Sequence, residues 1–307
     1  MVYGKLFLTA LFWGGTFIAG RQVSQNLGPF SIAFLRFAMA SVLLLSLTRI
    51  KEGRLPPIRG WQIPLVLLLG MTGIFAYNAM FFQGLRLIEA SRAALIVATC
   101  PAFIAIASAL FVARPSWPCP HGRDAHATEK LTGIQAVGIP LSILGAAVVI
   151  SKGDLGQIIA GGVGRGELFI LGCVLSWVAY SLLGKVVMRW LSPLVAVSYS
   201  SLAGAIALAV PALFEGLTQT VRHASLLDWT SIAYLAVFGT VLGFVWFYQG
   251  VQLIGTTRAG LFINFVPISA VILAFLMLKE PITWSLAVGA ILVLSGVYLT
   301  NRAPTRG

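Results

Sequence analysis

The sequence predicts an all-α polytopic membrane protein with ten transmembrane helices, arranged as two inverted five-helix repeats. Three observations point to this fold class. Of the 307 residues, 58% are hydrophobic and only 10% are charged, whereas soluble proteins average about 25% charged residues. The apolar residues form long continuous runs. Residues of the same type also recur at fixed offsets between the two halves of the chain.

The composition excludes several other classes of protein. A water-soluble globule needs more charged residues to cover its surface, and a disordered chain has low hydrophobicity. The net charge of +12 would suit a nucleic-acid-binding protein, but the basic residues are thinly spread and form no basic stripe, so no nucleic acid partner is expected. An outer-membrane barrel is disfavoured because its strands would alternate in hydrophobicity.

Ten stretches are long and apolar enough to cross a bilayer, which takes roughly 20 residues per helix. The first begins at Lys5 and has no cleavage site after it, so we interpret it as a retained helix rather than a signal peptide. The longest polar segment, the insert at 113–130, is too short to fold alone. The predicted spans are 5–23, 29–48, 62–86, 90–112, 131–150, 166–190, 193–213, 229–254, 257–278 and 282–300.

The basic residues indicate how these spans are oriented. With ten spans, both termini lie on the same side of the membrane. Of the 21 Lys and Arg residues, 13 fall on the side of the termini, 7 fall on the opposite side, and Arg36 lies inside a span. Because cytoplasmic loops carry the excess of Lys and Arg, we predict a multi-pass protein of the cell inner (plasma) membrane with both termini in the cytoplasm.

An internal repeat is visible at offsets of 164, 166 and 151 residues. The matched pairs include Trp13 and Trp177, Pro29 and Pro193, Gly84 and Gly250, Arg92 and Arg258, Pro101 and Pro267, and Glu129 and Glu280. These pairs predict a first five-helix repeat at 1–151, which contains the insert, and a second at 152–307. Because five is odd, the second repeat enters the membrane in the opposite orientation. Inverted repeats of this kind are typical of secondary transporters.

Five short motifs follow one another in a fixed order. They are Phe12-Trp13-Gly14, Leu35-Arg36-Phe37, the series Gly84, Ala93 and Pro101, the series Gly250, Ala259 and Pro267, and Lys279-Glu280. Together they resemble the EamA-type branch of the drug/metabolite transporter superfamily. The resemblance implies export or exchange of small metabolites, often amino acids or drugs, and a central cavity lined mainly by helices 1, 3, 4, 6, 8 and 9. Two features depart from the family pattern, namely the insert and Ser200, which stands where a second Arg36 would fall.

Arg36 is the ionisable side chain that lies well inside a predicted span. Such a residue is costly in a membrane and suggests a functional role, here binding a substrate carboxylate through a bidentate contact. The alternative is that it extends toward the outer surface or bonds backbone carbonyls, and both interpretations stay open. No Asp or Glu falls in the middle of a span. This argues against a buried carboxylate relay for protons or sodium and favours facilitated export or exchange.

Aromatic and amide side chains complete the candidate cavity. An aromatic wall would suit amphipathic, aromatic or cationic solutes, although each ring taken alone could instead pack against lipid or a neighbouring helix. Asn78 and Asn264 have no matching amide in the other repeat, which favours substrate contact. The candidate substrate-binding residues are Trp13, Arg36, Tyr77, Asn78, Phe81, Trp177, Tyr180, Trp246 and Asn264.

Structural roles are predicted for several other residues of the spans. Pro101 and Pro267 each remove a backbone hydrogen bond, so they are predicted to form paired kinks and hinges that frame the site. Arg92 and Arg258 begin helices 4 and 9, where interfacial anchoring is favoured over gating. Close helix packing is predicted for glycines spaced seven apart, namely Gly138 with Gly145 and Gly289 with Gly296.

No enzyme, cofactor or metal site is predicted. The chain has no phosphate-binding loop, no His-Glu-x-x-His helix and no Gly-x-Ser-x-Gly turn. Cys119, His121 and His126 in the insert lack the spacing of a zinc site, so a flexible loop is expected there. The sequence therefore favours a secondary transporter that exports or exchanges amino acids or related metabolites by alternating access. The alternative is an exporter of cationic or aromatic drugs. The expected partners are a small-molecule substrate and the lipid bilayer.

Overall fold

A computed structural model describes residues 2–111, 133–154 and 162–301. The predicted insert at 113–130, with Cys119, His121 and His126, lies outside the described residues. The described residues form helices and short connections, with no strand among them. The predicted all-helical fold is therefore confirmed for this part of the chain.

Nine helices within the described ranges are long and apolar enough to span a membrane, and a further apolar helix is shorter. In chain order, the ten helices are α1 (Val2–Ser24), α2 (Pro29–Glu52), α3 (Gly60–Leu87), α4 (Ala90–Leu110), α5 (Gly133–Ile150), α6 (Arg165–Val187), α7 (Pro193–Phe214), α8 (Leu226–Ile254), α9 (Ala259–Leu278) and α10 (Trp284–Thr300). A short helix, Leu217–His223, lies between α7 and α8. The 17 residues of α10 rise about 26 Å, slightly less than the roughly 30 Å hydrocarbon core. The tenth span therefore stays a prediction.

Helix starts follow from local sequence. Both α2 and α7 begin with a proline, Pro29 and Pro193, which loses nothing at this position because the first helical N–H has no partner within the helix. At the start of α8, the Ser225 hydroxyl accepts a hydrogen bond from the Asp228 N–H at 3.2 Å, and the Asp228 carboxylate accepts one from the Ser225 N–H at 3.0 Å. This reciprocal pair satisfies two N–H groups that the helix leaves free.

Three helices contain π-helical turns. These turns occupy Gly70–Ala76 in α3, Val237–Leu242 in α8 and Ala274–Leu278 at the end of α9. The first two fall at nearly matching positions of the predicted repeats. A π turn frees backbone carbonyls from the regular helical pattern and is often found at functional sites.

Two helices are interrupted just before a proline. Regular α-helix in α4 stops at Val97 and resumes at Cys100, and α9 is interrupted at Asn264. Pro101 and Pro267 have no N–H to donate to the carbonyl four residues earlier, so the helix weakens there. Their role as hinges stays a prediction.

The helices pack across the two halves of the chain in a reciprocal way. Helix α1 packs against α8 and α9, while α6 packs against α3 and α4, and α2 packs along α7. Helices α5 and α10 pack closely on each other. A Cβ added to Gly145 would lie 2.6 Å from the Val293 nitrogen, and one added to Gly138 would lie 2.7 Å from the Gly296 carbonyl oxygen. These contacts confirm the close packing predicted for the glycines of α5 and α10.

Candidate functional site

Arg36 lies on α2 and its side chain is buried, with 8% of the residue exposed. Its Nε and Nη2 donate to the Thr240 Oγ1 atom at 3.2 and 3.1 Å. Its Nη1 donates to the Asn78 Oδ1 atom at 3.0 Å. The guanidinium group therefore joins three helices, α2, α3 and α8. Its partners are side chains rather than the backbone carbonyls that the sequence left as an alternative.

The π turns position both acceptors of Arg36. Asn78 follows the π turn of α3, and its Nδ2 donates to the Ile74 carbonyl at 2.8 Å. Thr240 lies within the π turn of α8, and its hydroxyl donates to the Leu235 carbonyl, five residues back, at 2.9 Å. Each side chain donates its own hydrogen bond within its helix, and its oxygen atom accepts from Arg36.

Arg36 is a buried cation held by neutral oxygens. The salt bridge within the described residues joins Arg92 and Glu167, and no carboxylate there pairs with Arg36. A guanidinium has five N–H groups, and three of them donate in the contacts above. The other two N–H groups make no hydrogen bond among the described residues. A buried charge without a counter-ion is costly, so this position favours the arrival of an anion.

A first aromatic cluster lies beside Asn78 and is made of Tyr77, Phe81, Trp177 and Tyr180. The Tyr77 ring stacks on Phe81 at 5.7 Å between centroids and lies 5.5 Å from Trp177, which in turn lies 5.2 Å from Tyr180. Tyr77 and Trp177 are partly exposed, whereas Phe81 is buried in the core. Four candidate residues are therefore brought together between α3 and α6.

A second aromatic cluster surrounds Trp13 on α1 and includes Phe244, Phe247 and Tyr248 of α8. The Trp13 ring lies 5.8 Å from Phe244 and 5.4 Å from Phe247. Its Nε1 donates to the Gly239 carbonyl at 3.0 Å, one residue before Thr240. The indole therefore satisfies a carbonyl of the π turn that holds Arg36.

The described contacts of Trp246 and Asn264 lie outside the two aromatic clusters and the Arg36 contacts. The Trp246 ring lies 5.6 Å from Phe12 and 6.0 Å from the Lys5 ammonium. The Asn264 Oδ1 atom accepts from Asn301 Nδ2 at 3.4 Å, beside the end of α10. These contacts do not link either residue to Arg36, and a substrate-binding role for them stays a prediction.

Arg92 differs from the interfacial anchor that the sequence favoured. It is buried, and its Nη2 contacts the Glu167 carboxylate at 2.7 Å and the Ile150 carbonyl at 3.1 Å. The end of α5 and the start of α6 meet over the start of α4, so the side chain is enclosed by protein. Its match in the second repeat, Arg258, has no described side chain.

Comparison with known proteins identifies the family. The sequence model of the EamA-like transporter family matches residues 2–117 and 164–302. The chain belongs to this family. It is 29% identical to the uncharacterized transporter YyaM of Bacillus subtilis, over 98% of this chain and 93% of that protein. The predicted EamA-type resemblance is confirmed, and the names of the family and of this relative indicate a membrane transporter rather than an enzyme.

Two further matches are informative. The chain is 27% identical to a probable terminal-alkyne amino-acid exporter of Streptantibioticus cattleyicolor, over 97% of this chain and 92% of that protein. A solved crystal structure that is 18% identical covers 97% of this chain and 97% of its own, with a TM-score of 0.62. The structural match shows a shared fold over almost the whole length.

Proposed function

We propose that this EamA-family protein is a secondary transporter that exports or exchanges small carboxylate-bearing metabolites, namely amino acids or related compounds, across the plasma membrane by alternating access. The observation that carries this proposal is the buried Arg36 guanidinium, whose described partners are neutral. A relative named as a probable amino-acid exporter supports the same substrate class.

The geometry suggests how a substrate would be held. The two remaining N–H groups of Arg36 would donate to the carboxylate, and charge-assisted contacts of this kind are the strongest that a side chain offers. The partly exposed rings of Tyr77 and Trp177 would cover the apolar part of the solute. Thr240 and Asn78 would keep the guanidinium in place while the site is empty.

The packing supports alternating access between two five-helix repeats at 1–151 and 152–307. Helix α1 contacts the third and fourth helices of the second repeat, and α6 contacts the third and fourth helices of the first. Reciprocal contacts are expected when two inverted halves exchange conformations around a central site. The interruptions before Pro101 and Pro267 would then act as the paired hinges.

Counterflow in proteoliposomes tests this proposal. Vesicles containing the purified protein are loaded with a broad panel of amino acids, organic acids, nucleosides, sugars and polyamines, and uptake of labelled solute is followed. We expect exchange of one or more carboxylates. An absence of counterflow for every solute would overturn the proposed function.

The Arg36→Ala variant tests the role of the guanidinium. A hydrogen bond to a charged group contributes about 1.5–3 kcal/mol, so we expect carboxylate transport to fall by roughly 10- to 100-fold, and transport of uncharged solutes to fall less. Arg21→Ala is the matched control. Arg21 lies near the end of α1 and donates to the Leu85 carbonyl of α3, away from Thr240. An equal loss for charged and uncharged solutes would assign Arg36 a structural role.

The two aromatic clusters favour a second candidate function, export of cationic or aromatic drugs. Ring faces attract organic cations, although the guanidinium would repel a cation that came close to it. Drug susceptibility of a strain that overproduces the protein separates the candidates. Several-fold resistance to cationic aromatic compounds, without carboxylate exchange, would favour the drug exporter.

A further inference from the structure

We infer that the Arg36 site selects monoanionic solutes, that is, carboxylates whose other groups are uncharged, over zwitterionic amino acids. N-acylated and deaminated amino acids are solutes of this class. This inference rests on the proposed function, because it assumes that a substrate carboxylate binds Arg36. It concerns the second charged group of an amino acid, the ammonium.

An ammonium group that enters a membrane protein must find acceptors. Burying a charge without partners costs far more free energy than burying an apolar group. A site for zwitterions therefore needs a free carboxylate or several free carbonyl oxygens beside the guanidinium.

The buried carboxylates of the described residues are all engaged at helix ends. Glu280 accepts from the backbone N–H groups of Ala90 and Ser91 at 2.8 and 2.9 Å. Glu167 pairs with Arg92, and Asp228 accepts from Ser225 and from Asn26. Each carboxylate already holds a helix start or a cation, so none is set aside for an ammonium near Arg36.

Four carbonyls in or next to the π turns of α3 and α8 each accept a side-chain hydrogen bond. Beside Arg36, Gly239 accepts from Trp13, Leu235 accepts from Thr240, and Ile74 accepts from Asn78. On the other side of the π turn of α3, the Thr72 carbonyl accepts from the Ser176 hydroxyl at 3.0 Å. An ammonium would have to share these acceptors with their present donors, and the ring faces of the clusters contribute only about 0.5–2 kcal/mol, which does not replace its hydration.

The net charge of the site points in the same direction. A monoanion neutralises the buried guanidinium, whereas a zwitterion leaves one positive charge in the membrane. The buried guanidinium therefore favours an anion over a zwitterion.

A series of matched solutes tests the inference on the purified wild-type protein in proteoliposomes. The compounds 3-phenylpropionate, N-acetylphenylalanine, phenylalanine and phenylalaninamide share one ring and differ in charge. Propionate, N-acetylalanine, alanine and alaninamide repeat the comparison at smaller size. Inhibition of counterflow and the ligand-induced rise in melting temperature are both measured.

In at least one series, we expect the anion concentration that half-saturates the protein to be at least tenfold lower than the amino-acid concentration that does so. We expect the amides to have no effect. In Arg36→Gln the preference for anions should disappear. If an amino acid binds as well as its anionic analogues, the inference is overturned and the proposed function stands. If neither series gives a response, the inference is also overturned, and the wider counterflow panel decides separately whether the proposed function fails.

Discussion

Thr240 holds Arg36 with a single oxygen atom. That oxygen accepts from Nε and Nη2 of the guanidinium while its own hydrogen goes to the Leu235 carbonyl. Thr240 itself has no exposed surface, so water cannot take its place. The orientation of the guanidinium, and hence of any carboxylate on it, therefore depends on this hydroxyl.

The substitution Thr240→Val keeps the shape of the side chain and removes the hydroxyl. We expect carboxylate transport to fall at least tenfold, because Arg36 loses two hydrogen bonds and a hydrogen bond to a charged group contributes about 1.5–3 kcal/mol. Thr240→Ser should restore most of the rate. Thr230→Val is the control on the same helix, since Thr230 is exposed and donates to the Leu227 carbonyl at 3.0 Å. Wild-type transport by Thr240→Val, in an assay where Arg36→Ala is defective, would contradict this role.

The sequence alone identifies Arg36 as a candidate site residue but not Thr240. An arginine inside an apolar helix is costly enough to be noticed alone. A threonine is common in such helices, and this one lies 204 residues from Arg36 along the chain. Its match in the first repeat is the apolar Ile74, so the internal symmetry gives no signal either. The repeat does point to neighbouring Gly239, which matches Gly73.

Gly73 and Gly239, in the π turns of α3 and α8, allow helices of the two halves to pack closely. A Cβ on Gly239 would lie 2.6 Å from the Thr16 methyl group, and a Cβ on Gly73 would collide with the Tyr180 ring. Hydropathy predicts where α3 and α8 run, because each contains a stretch apolar enough to span a membrane. It does not predict the π turns, since these depend on contacts with α1 and α6 that are distant in sequence.

The buried Arg92–Glu167 pair joins the starts of α4 and α6 and offers a test at this scale. Removing one partner of a buried pair leaves an uncompensated charge and costs about 3–5 kcal/mol, whereas apolar replacement of both partners is often neutral. We expect Arg92→Met and Glu167→Met each to lower the melting temperature in detergent, and the double variant to recover most of the loss.

Arg86→Met provides the control, because Arg86 is an exposed basic residue at the end of α3. It should leave the melting temperature close to that of the wild type. A double variant whose loss equals the sum of the two single losses would show that Arg92 and Glu167 stabilise the fold independently.

The candidate site lies between the two predicted repeats. Arg36 and Asn78 come from the predicted first repeat and Thr240 from the second. The position that matches Arg36 is Ser200, which is fully buried and donates to the Val197 carbonyl of its own helix at 3.1 Å. Movement of one half against the other would therefore change the contacts of the guanidinium. The proposed mechanism would therefore place substrate binding and conformational exchange on the same three side chains.

The proposed inversion of the repeats can be tested at the turns that follow the second helix of each repeat. Helix α2 ends at Gly53 and helix α7 is followed by Gly216, and both glycines have positive φ, +72° and +94°. Inverted repeats place these two turns on opposite sides of the membrane. The segment after α2 carries Arg54 and Arg59, so the positive-inside rule predicts that it lies, with both termini, in the cytoplasm.

Fusions decide this topology in intact cells. A fluorescent protein at the C-terminus should fluoresce, alkaline phosphatase inserted after Gly216 should be active, and the same enzyme after Gly53 should be at least tenfold less active, because it folds only outside the cytoplasm. Equal activity at Gly53 and Gly216 would contradict the inversion. Activity at Gly53 with none at Gly216 would keep the inversion and reverse the orientation. The first result would remove the structural basis proposed for alternating access, whereas the second would only exchange the side from which the solute reaches Arg36.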